Sequence, residues 1–401
     1  MGSGAGEVRE QAAAEQARLW RLPGMVGLLV VTFCGFTSYA IEMTTAPLWA
    51  ARGGAGAQQA GLVTGLLMLA TVGAQLTVPA QIRRLGMHGA MALGLVFLGG
   101  GSLLYLASDA LAPVLVTSAL RGVGFATLTV GCSTALAQIA PARRLGEAAG
   151  LYGLVVALPN VLGLPAGVWI AEHLGFAVVF AIGAAPLVAV PVALVSMRGL
   201  GSRPDEVAAG YDRALVRTIA GPCAALFVMT IAGGALMTFT PLTPGLSGLV
   251  SAALLGFGIT SALGRWRAGT VVDRLGPDRL SLPFMATTMV GMLCVAAAAT
   301  WPSQAWLVVV GGLVAGVGYG AIQNSTLVAA MTRVERHRQP AASALWNGSF
   351  DLGTGVGGAA AGALIGAAGF GAGYAASAVL IAIVAVLLAA RGQTSSASTI
   401  R

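Results

Sequence analysis

Residues 269–279 read Gly-Thr-Val-Val-Asp-Arg-Leu-Gly-Pro-Asp-Arg, a short polar stretch between two apolar runs. Asp273 and Arg274 place an acid and a base side by side, and such a loop can bind the end of a neighbouring helix. The flanking runs, residues 248–271 and 281–300, are each long enough to cross a bilayer, which takes about 20 apolar residues. The stretch therefore predicts a tight loop between two membrane-spanning helices.

Apolar runs of this length recur along the whole chain. Of its 401 residues, 57% are hydrophobic and 9% are charged, whereas an ordinary soluble domain has about 25% charged residues. A soluble core could not hide so much apolar surface, because a folded globule needs a polar exterior. We expect an all-α integral membrane protein with twelve transmembrane helices, near residues 25–49, 59–80, 88–107, 112–139, 147–171, 176–196, 218–241, 248–271, 281–300, 305–331, 340–367 and 371–390.

The distribution of arginine predicts the orientation of the chain. All 22 basic residues are Arg, and 18 of them lie in the termini and in alternate loops, on one side of the predicted membrane. The loops on the opposite side contain only Arg52. Cytoplasmic loops are enriched in basic residues, so we expect a multi-pass protein of the cytoplasmic (inner) membrane with both termini in the cytoplasm.

Short sequence matches indicate an internal duplication. They recur in order at offsets of 190 or 194 residues, and they pair 84–86 with 274–276, 122–125 with 316–319, and 175–176 with 369–370. Because each half has six helices, the second half enters the membrane in the same orientation as the first. We expect a cytoplasmic N-terminal segment (1–22), an N-terminal six-helix bundle (23–197), a central cytoplasmic loop (198–217), a C-terminal six-helix bundle (218–391) and a cytoplasmic tail (392–401).

Several motifs resemble the major facilitator superfamily over essentially the whole chain. Residues 269–279 are similar to the G-x-x-x-D-R-x-G-x-x-R loop signature of that family. Residues 121–124 are similar to its R-G-x-G-type motif in helix 4, and residues 159–167 are a loose version of the Gly/Pro-rich helix 5 motif of its exporters. Residues 350–355 look like a segment common in bacterial drug and arabinose-efflux-type members. The resemblance implies two pseudo-symmetric six-helix bundles and transport by alternating access.

The resemblance also implies a gate in the loop between the eighth and ninth helices. The first-half copy of this signature, at residues 79–88, is degraded, since Pro79 replaces its Gly and Arg83 its Asp. The gating role is therefore expected of the second-half copy, through Gly269, Asp273, Arg274, Gly276 and Arg279.

Ionisable side chains within the predicted helices are the candidate functional residues. Each costs about 2.5 to 3.5 kcal/mol to insert, so it usually faces a cavity or a partner. Glu42 and Arg121 lie at equal depth in the first and fourth helices, which both line the cavity in the family fold, so an ion pair there is possible. Ser38 and Thr45 share the helical face of Glu42, with Tyr39 beside them. We expect Glu42 to face the cavity as the first candidate for proton coupling, with Arg121 as its charge partner; the alternative is a buried pair that only fixes packing.

Asp351, near the middle of the eleventh helix, is the second candidate for proton coupling. The alternative is a hydrogen-bond bridge between helices. Further candidates for the substrate cavity are Trp346 and Asn347 nearby, and Gln323 and Asn324 in the tenth helix. In the eighth helix, Arg265 and Arg267 lie near the predicted cytoplasmic end, where we expect them to extend to the membrane surface.

Other classes of site are not indicated. The four cysteines lie singly in apolar runs, so neither a disulfide framework nor a metal site is visible. The chain has no Lys and so cannot carry a Walker A loop. Its basic residues are scattered, which argues against nucleic-acid binding. We therefore expect no cofactor and no metal, with the proton gradient as the energy source.

We expect a monomeric secondary active transporter whose partners are the bilayer, protons and a small organic solute. Proton-coupled efflux of a drug, a secondary metabolite or a sugar-like compound is the preferred mechanism. The alternatives are proton-coupled uptake of a sugar or metabolite and, from another class, a non-transporting membrane sensor or assembly factor on the same fold. An enzyme is not expected, since no nucleophile–base pair or metal set lies in the helices.

Overall fold

The computed structural model describes residues 19–141, 144–200, 213–275, 277–335 and 338–398. Within these ranges, the side chains of 145–146, 269–275, 277–279, 340 and 391–398 are not described. The predicted N-terminal segment, the central loop and the tail therefore lie largely outside the described residues.

Twelve long helices account for almost all of the described chain, as the sequence predicts. Eleven are long and apolar enough to cross a membrane, and the twelfth, α11, carries the polar Asn347 and Asp351 in its interior. The helices are α1 (Met25–Arg52), α2 (Ala57–Gln75), α3 (Val78–Leu104), α4 (Leu111–Ile139), α5 (Leu145–His173), α6 (Phe176–Ser196, interrupted at Ala184), α7 (Arg213–Phe239), α8 (Val250–Leu275), α9 (Pro277–Thr300), α10 (Leu307–Thr332), α11 (Gln339–Ala368) and α12 (Phe370–Ser398).

A glycine inside α3 explains why the predicted third run begins later than the helix. Gly86 has φ 72° and ψ 165°, a left-handed conformation that side chains rarely adopt. The helical turns from Val78 to Leu85 thus belong to the connection after α2, and the spanning part of α3 begins at Met87. The predicted start of the run at residue 88 agrees with this break.

The internal duplication is visible in the backbone. Gly175, between α5 and α6, has φ 91° and ψ 161°, and Gly369, 194 residues later between α11 and α12, has φ 87° and ψ 167°. Both values lie in a region open almost only to glycine. Gly122 likewise packs on the backbone of α2, and Gly316 on that of α8, so that a methyl group at either position would collide. The two halves are therefore built alike.

The two halves meet along two seams, where α2 packs on α11 and α5 on α8. We call the end of the bundle that carries Arg52 the Arg-poor face, and the opposite end, with Arg83 and Arg333, the Arg-rich face. Towards the Arg-poor face, Gly61 packs on Gly358 and Gly65 on Gly355, so the α2 and α11 backbones touch. A small-residue seam of this kind lets membrane helices approach closely.

The same interfacial helices separate towards the Arg-rich face. Gly150 and Gly153 of α5 and Gly348 of α11 lie in this part, and a Cβ atom added at any of them would meet no atom within 4 Å. At these glycines, no contact between the halves is seen among the residues that the structure describes. The bundle is closed at the Arg-poor face and opens towards the Arg-rich face.

Candidate functional site

Glu42 of α1 and Arg121 of α4 form an ion pair in the interior of the first half. The Arg121 Nη1 atom lies 2.6 Å from Glu42 Oε2, and both residues are 1% exposed. Two glycines from other helices leave the space that this ion pair occupies. Gly183 of α6 faces the Glu42 carboxylate, and Gly101 of α3 faces the Arg121 side chain, and a methyl group at either would collide with the pair.

The remaining donors of Arg121 bind backbone and hydroxyl oxygens. Its Nε donates to Leu98 O at 3.2 Å, and its Nη2 donates to both the backbone O and the Oγ of Ser38, at 3.2 and 3.1 Å. The guanidinium carbon lies 5.6 Å from the centre of the Tyr105 ring. Arg121 thus has hydrogen-bond acceptors from α1 and α3 around it, and these bonds compensate the free-energy cost of burying its charge.

The sequence predicted that the Glu42–Arg121 pair lies at the central cavity, but the structure places it within the first half. Glu42 is enclosed by α3, α4 and α6, and Ser38 and Thr45 on the same face are fully buried. Thr45 Oγ1 donates to the carbonyl of Ile41 in its own helix, at 2.8 Å. In this conformation none of the three side chains lines the space between the halves. The alternative interpretation, a buried pair that fixes helix packing, fits their surroundings.

Asp351 instead lies where the two halves meet. The Nε2 atom of Gln75, the last residue of α2, donates a 2.7 Å hydrogen bond to Asp351 Oδ2 on α11. Asp351 is 8% exposed. On α11 the bond lies between Gly355 of the glycine-packed seam and Gly348, and on α2 it lies at the end of the helix nearer the Arg-rich face. The hydrogen-bond bridge considered from the sequence is therefore present, and it connects one half to the other.

Two tyrosines, one from each half, complete what we call the apex cluster, namely Asp351, Gln75, Tyr39 and Tyr319. Both hydroxyls lie within electrostatic range of the Asp351 carboxyl group. Tyr39 of α1 stacks on Phe125 at a centroid distance of 4.1 Å. Tyr39 therefore belongs to the apex cluster. Sequence reasoning missed Gln75, although its place as a lone amide after a long apolar run was a usable signal.

Arg265 of α8 forms a second polar group with α10. Its Nη1 donates to Gln323 Oε1 at 3.3 Å, and Asn324 Nδ2 donates to the Arg265 carbonyl at 3.2 Å. Its charge also interacts with Tyr319, which lies a turn deeper in the membrane. The expectation that Arg265 extends to the membrane surface is therefore wrong, because an amide acceptor lies at its own depth. Arg267 stacks on the exposed Trp266 ring, at 4.9 Å.

The other two cavity candidates differ from each other. Trp346 Nε1 donates to Thr326 Oγ1 at 3.1 Å, so this indole ties α11 to α10 and is 6% exposed. Asn347 is exposed, and its Nδ2 donates to the Ser343 carbonyl one turn earlier. Of the two, Asn347 is the one available to a solute, one turn from Asp351.

The loop assigned to gating cannot be compared with its prediction. The side chains of Gly269, Asp273, Arg274, Gly276 and Arg279 lie outside the described residues, so their gating role stays a prediction. Among the residues whose placement is described, no group of three His, Cys, Asp or Glu side chains could hold a metal ion.

The chain resembles known membrane transporters in sequence and in fold. A family model described as Major Facilitator Superfamily matches residues 28–339 and 278–398. No curated protein sequence matches the chain. Among solved structures, the nucleoside transporter NupG superposes with a TM-score of 0.65 at 14% identity, covering 92% of this chain and 98% of its own.

Two further solved structures are similar over most of their length. A bacterial homolog of the human lysosomal transporter Spinster, in an inward-facing and unoccupied conformation, has a TM-score of 0.72 at 14% identity, covering 91% of this chain and 95% of its own. A POT family transporter in complex with a thioalcohol-conjugated peptide has a TM-score of 0.73 at 11% identity, covering 92% and 96%. At these identities the likeness establishes the fold alone.

Proposed function

The chain belongs to the major facilitator superfamily, and from this premise we propose that it is a proton-coupled secondary active transporter that exports a small organic solute. The superfamily and the transporter fold make it a multi-pass membrane protein of the transporter class. Proton coupling, solute class and direction are the proposed part.

Alternating access is supported by the unequal closure of the two ends. The bundle is closed at the Arg-poor face and open towards the Arg-rich face. Since basic loops stay in the cytoplasm, the Arg-rich face is the cytoplasmic one in this proposal. The conformation described here then faces inward, ready to take a solute from the cytoplasm.

The observation that carries proton coupling is the hydrogen bond from Gln75 to Asp351. It joins the halves at the Arg-rich end of the α2–α11 seam, and in this proposal it breaks when α2 and α11 separate. A group that interacts differently with two conformations shifts the balance between them. The charge on Asp351 therefore biases the conformational equilibrium.

Exchange of solute for proton follows from this arrangement as a cycle. A solute enters from the cytoplasm and occupies the space between the apex cluster and the Arg-rich face while Asp351 is ionised. After the halves rock, a proton from outside binds the Asp351 carboxylate and displaces the solute. The protonated carrier returns, and Asp351 releases the proton to the cytoplasm. In this scheme the Glu42–Arg121 pair holds α1 against α4 and takes no part in coupling.

Export is favoured over uptake by the Gly/Pro-rich α5. Gly163 and Gly167 pack on the backbone of α1 at Ala40 and Ile41, and Pro159 and Pro165 lie inside the helix. The motif thus provides a close α1–α5 contact in this chain, and its resemblance to the exporter motif supports export. Uptake with a proton is the competing direction, and the sign of proton movement separates the two.

The test uses everted membrane vesicles that are acidified inside and carry a pH-sensitive dye. A panel of toxic organic compounds, first ranked by susceptibility of cells with and without the gene, is added from outside. We expect the compounds to which the gene gives resistance to release protons from wild-type vesicles. Asp351→Asn vesicles should give no release, while Glu172→Gln, which removes an exposed acid, should behave as wild type. Proton-independent accumulation by the wild type would refute the coupling.

A further inference from the structure

The face of α8 that carries Arg265 borders the space between the halves. Seven residues, about two helical turns, separate Arg265 from Gly258, so both lie on one face of α8. Gly258 packs on the backbone of α5 at Val161, near the closed end. Where α5 and α8 separate, this same face is uncovered, and Arg265 is exposed there.

Arg265 has more hydrogen-bond donors than the one that is bonded to Gln323. Its guanidinium carries several N–H groups, and one of them, on Nη1, binds the Gln323 amide oxygen. No acidic side chain pairs with it among the residues that the structure describes. A cation at membrane depth normally faces a cavity or a partner. Arg265 is exposed on the face of α8 that borders the space between the halves, and it has no anionic partner among the described residues.

An acid also interacts with the same tyrosine. Tyr319 is within electrostatic range of both Arg265 and Asp351. The Oδ2 atom of Asp351 accepts from Gln75, and its Oδ1 atom has no hydrogen-bond partner in the described part of the chain. Arg265 and Asp351, neither with a counter-ion among the described residues, thus both lie within electrostatic range of one side chain, Tyr319.

The facing wall of the space is apolar. Two turns before the α5 residues that touch α8, namely Val161 and Pro165, lie Leu154 and Leu158. They are 64% and 47% exposed. A solute that enters from the Arg-rich face therefore meets leucine on α5 and paired polar groups on α8, α10 and α11.

We propose that the transported solute is amphoteric, with an anionic group bound by Arg265 and a cationic amine bound by Asp351. Its apolar body packs on Leu154 and Leu158. This inference rests on the proposed function and gives its chemistry, because a proton arriving on Asp351 replaces the cationic group of the solute. The exchange of solute for proton is then a competition for one carboxylate.

Three compounds with one apolar body test the proposal. They are phenylalanine, which is amphoteric, its methyl ester, which is only cationic, and N-acetylphenylalanine, which is only anionic. Binding to the purified full chain in nanodiscs is measured by calorimetry at about pH 7, where most of the amine is protonated and protons compete less for Asp351 than at lower pH. We expect phenylalanine to bind at least about tenfold more tightly than either derivative, since each derivative leaves one charge of the site unpaired.

Variants assign the effect to the two charges. In Arg265→Gln the preference for phenylalanine over the methyl ester should disappear, and in Asp351→Asn the preference over N-acetylphenylalanine should disappear. Arg217→Gln, which removes an exposed arginine at the Arg-rich end of α7, should keep both preferences. Both charge variants should still bind the derivative that lacks the corresponding charge, which shows that they are folded.

Three results would overturn the amphoteric solute: equal binding of a derivative and phenylalanine by the wild type, an unchanged preference in Arg265→Gln, or no binding of any compound. Failure of the proposed function gives a different result. If phenylalanine binds with the expected preferences but moves no protons in everted vesicles, proton coupling is wrong and the recognition site stands.

Discussion

Gln75 and Asp351 lie 276 positions apart in sequence and are joined by a 2.7 Å hydrogen bond between the two halves of the molecule. Both side chains belong to helices that touch through glycine on the Arg-poor side of this bond, and on its other side a Cβ atom added at Gly348 of α11 would meet no atom within 4 Å. The bond thus marks the boundary between the closed and the open part of the seam, and its strength bears on which end of the transporter is open.

Gln75→Leu should shift the equilibrium towards the state that is open at the Arg-poor face. A hydrogen bond to a charged group contributes about 1.5 to 3 kcal/mol, which corresponds to roughly a 10- to 100-fold change in the ratio of the two states. Spin labels at Ala55 and Ser247, in a background without the four native cysteines, measure the distance across that face. Gln304→Leu, an amide replaced outside the seam, is the control. An unchanged distance distribution in Gln75→Leu would contradict the role of the bond.

Asp351→Asn should abolish uphill transport and preserve downhill exchange. The amide keeps the size of the side chain and can still bond to Gln75, but it cannot carry a proton between the two faces. Proteoliposomes with and without an imposed pH gradient separate the two activities. Full accumulation by Asp351→Asn under a pH gradient would transfer the coupling role to another group, with Glu42 the next candidate.

Single substitutions in the Glu42–Arg121 pair should be more destabilising than the double substitution. Removing one partner of a buried ion pair costs about 3 to 5 kcal/mol because the remaining charge is uncompensated. Arg121→Met and Glu42→Gln should each lower the thermal midpoint of the detergent-solubilised protein, and Glu42→Gln combined with Arg121→Met should recover part of the loss. If folded Glu42→Gln protein has lost proton coupling but kept exchange, the pair is more than a packing element.

Gly101→Ala should destabilise the first half, whereas Gly100→Ala should not. A methyl group at Gly101 would collide with the Arg121 side chain, while one at Gly100 meets no atom within 4 Å. Overpacking typically costs about 1 to 3 kcal/mol, and alanine is otherwise favoured over glycine in a helix by up to about 1 kcal/mol. The two thermal midpoints should therefore move in opposite directions. A similar shift in both variants would mean that the core around the pair relaxes freely.

The arginine asymmetry predicts cytoplasmic termini. A reporter that fluoresces only in the cytoplasm, fused after Arg391, should be bright, and a cysteine placed at Gly54 should react with a reagent that cannot cross the membrane. The reverse pattern would mean that the chain has the opposite orientation in the membrane, and the conformation described here would then face outward.

The spacing of residues along the sequence was enough to predict the helices, the internal duplication and one contact between helices. The apolar runs predicted all twelve helices, and the offset of 194 residues between Gly175 and Gly369 corresponds to two glycines with the same backbone conformation. Equal depth of Glu42 and Arg121 indicated their contact. These are properties of position along a helix, and a helix rises by about 1.5 Å per residue whatever surrounds it.

Tertiary structure decided which way the side chains face and what they meet. Glu42 and Arg121 could be placed at the right depth, but the enclosure of Glu42 depends on Gly183 and that of Arg121 on Gly101, from helices whose rotation the sequence does not specify. The partner of Asp351 depends on how far the two halves have rocked, and Arg265 binds Gln323 because α8 and α10 pack in one particular register. Lipid favours any apolar face about equally, so hydrophobicity determines that a helix spans the membrane, while close packing of small residues and hydrogen bonds between helices determine which face turns inward.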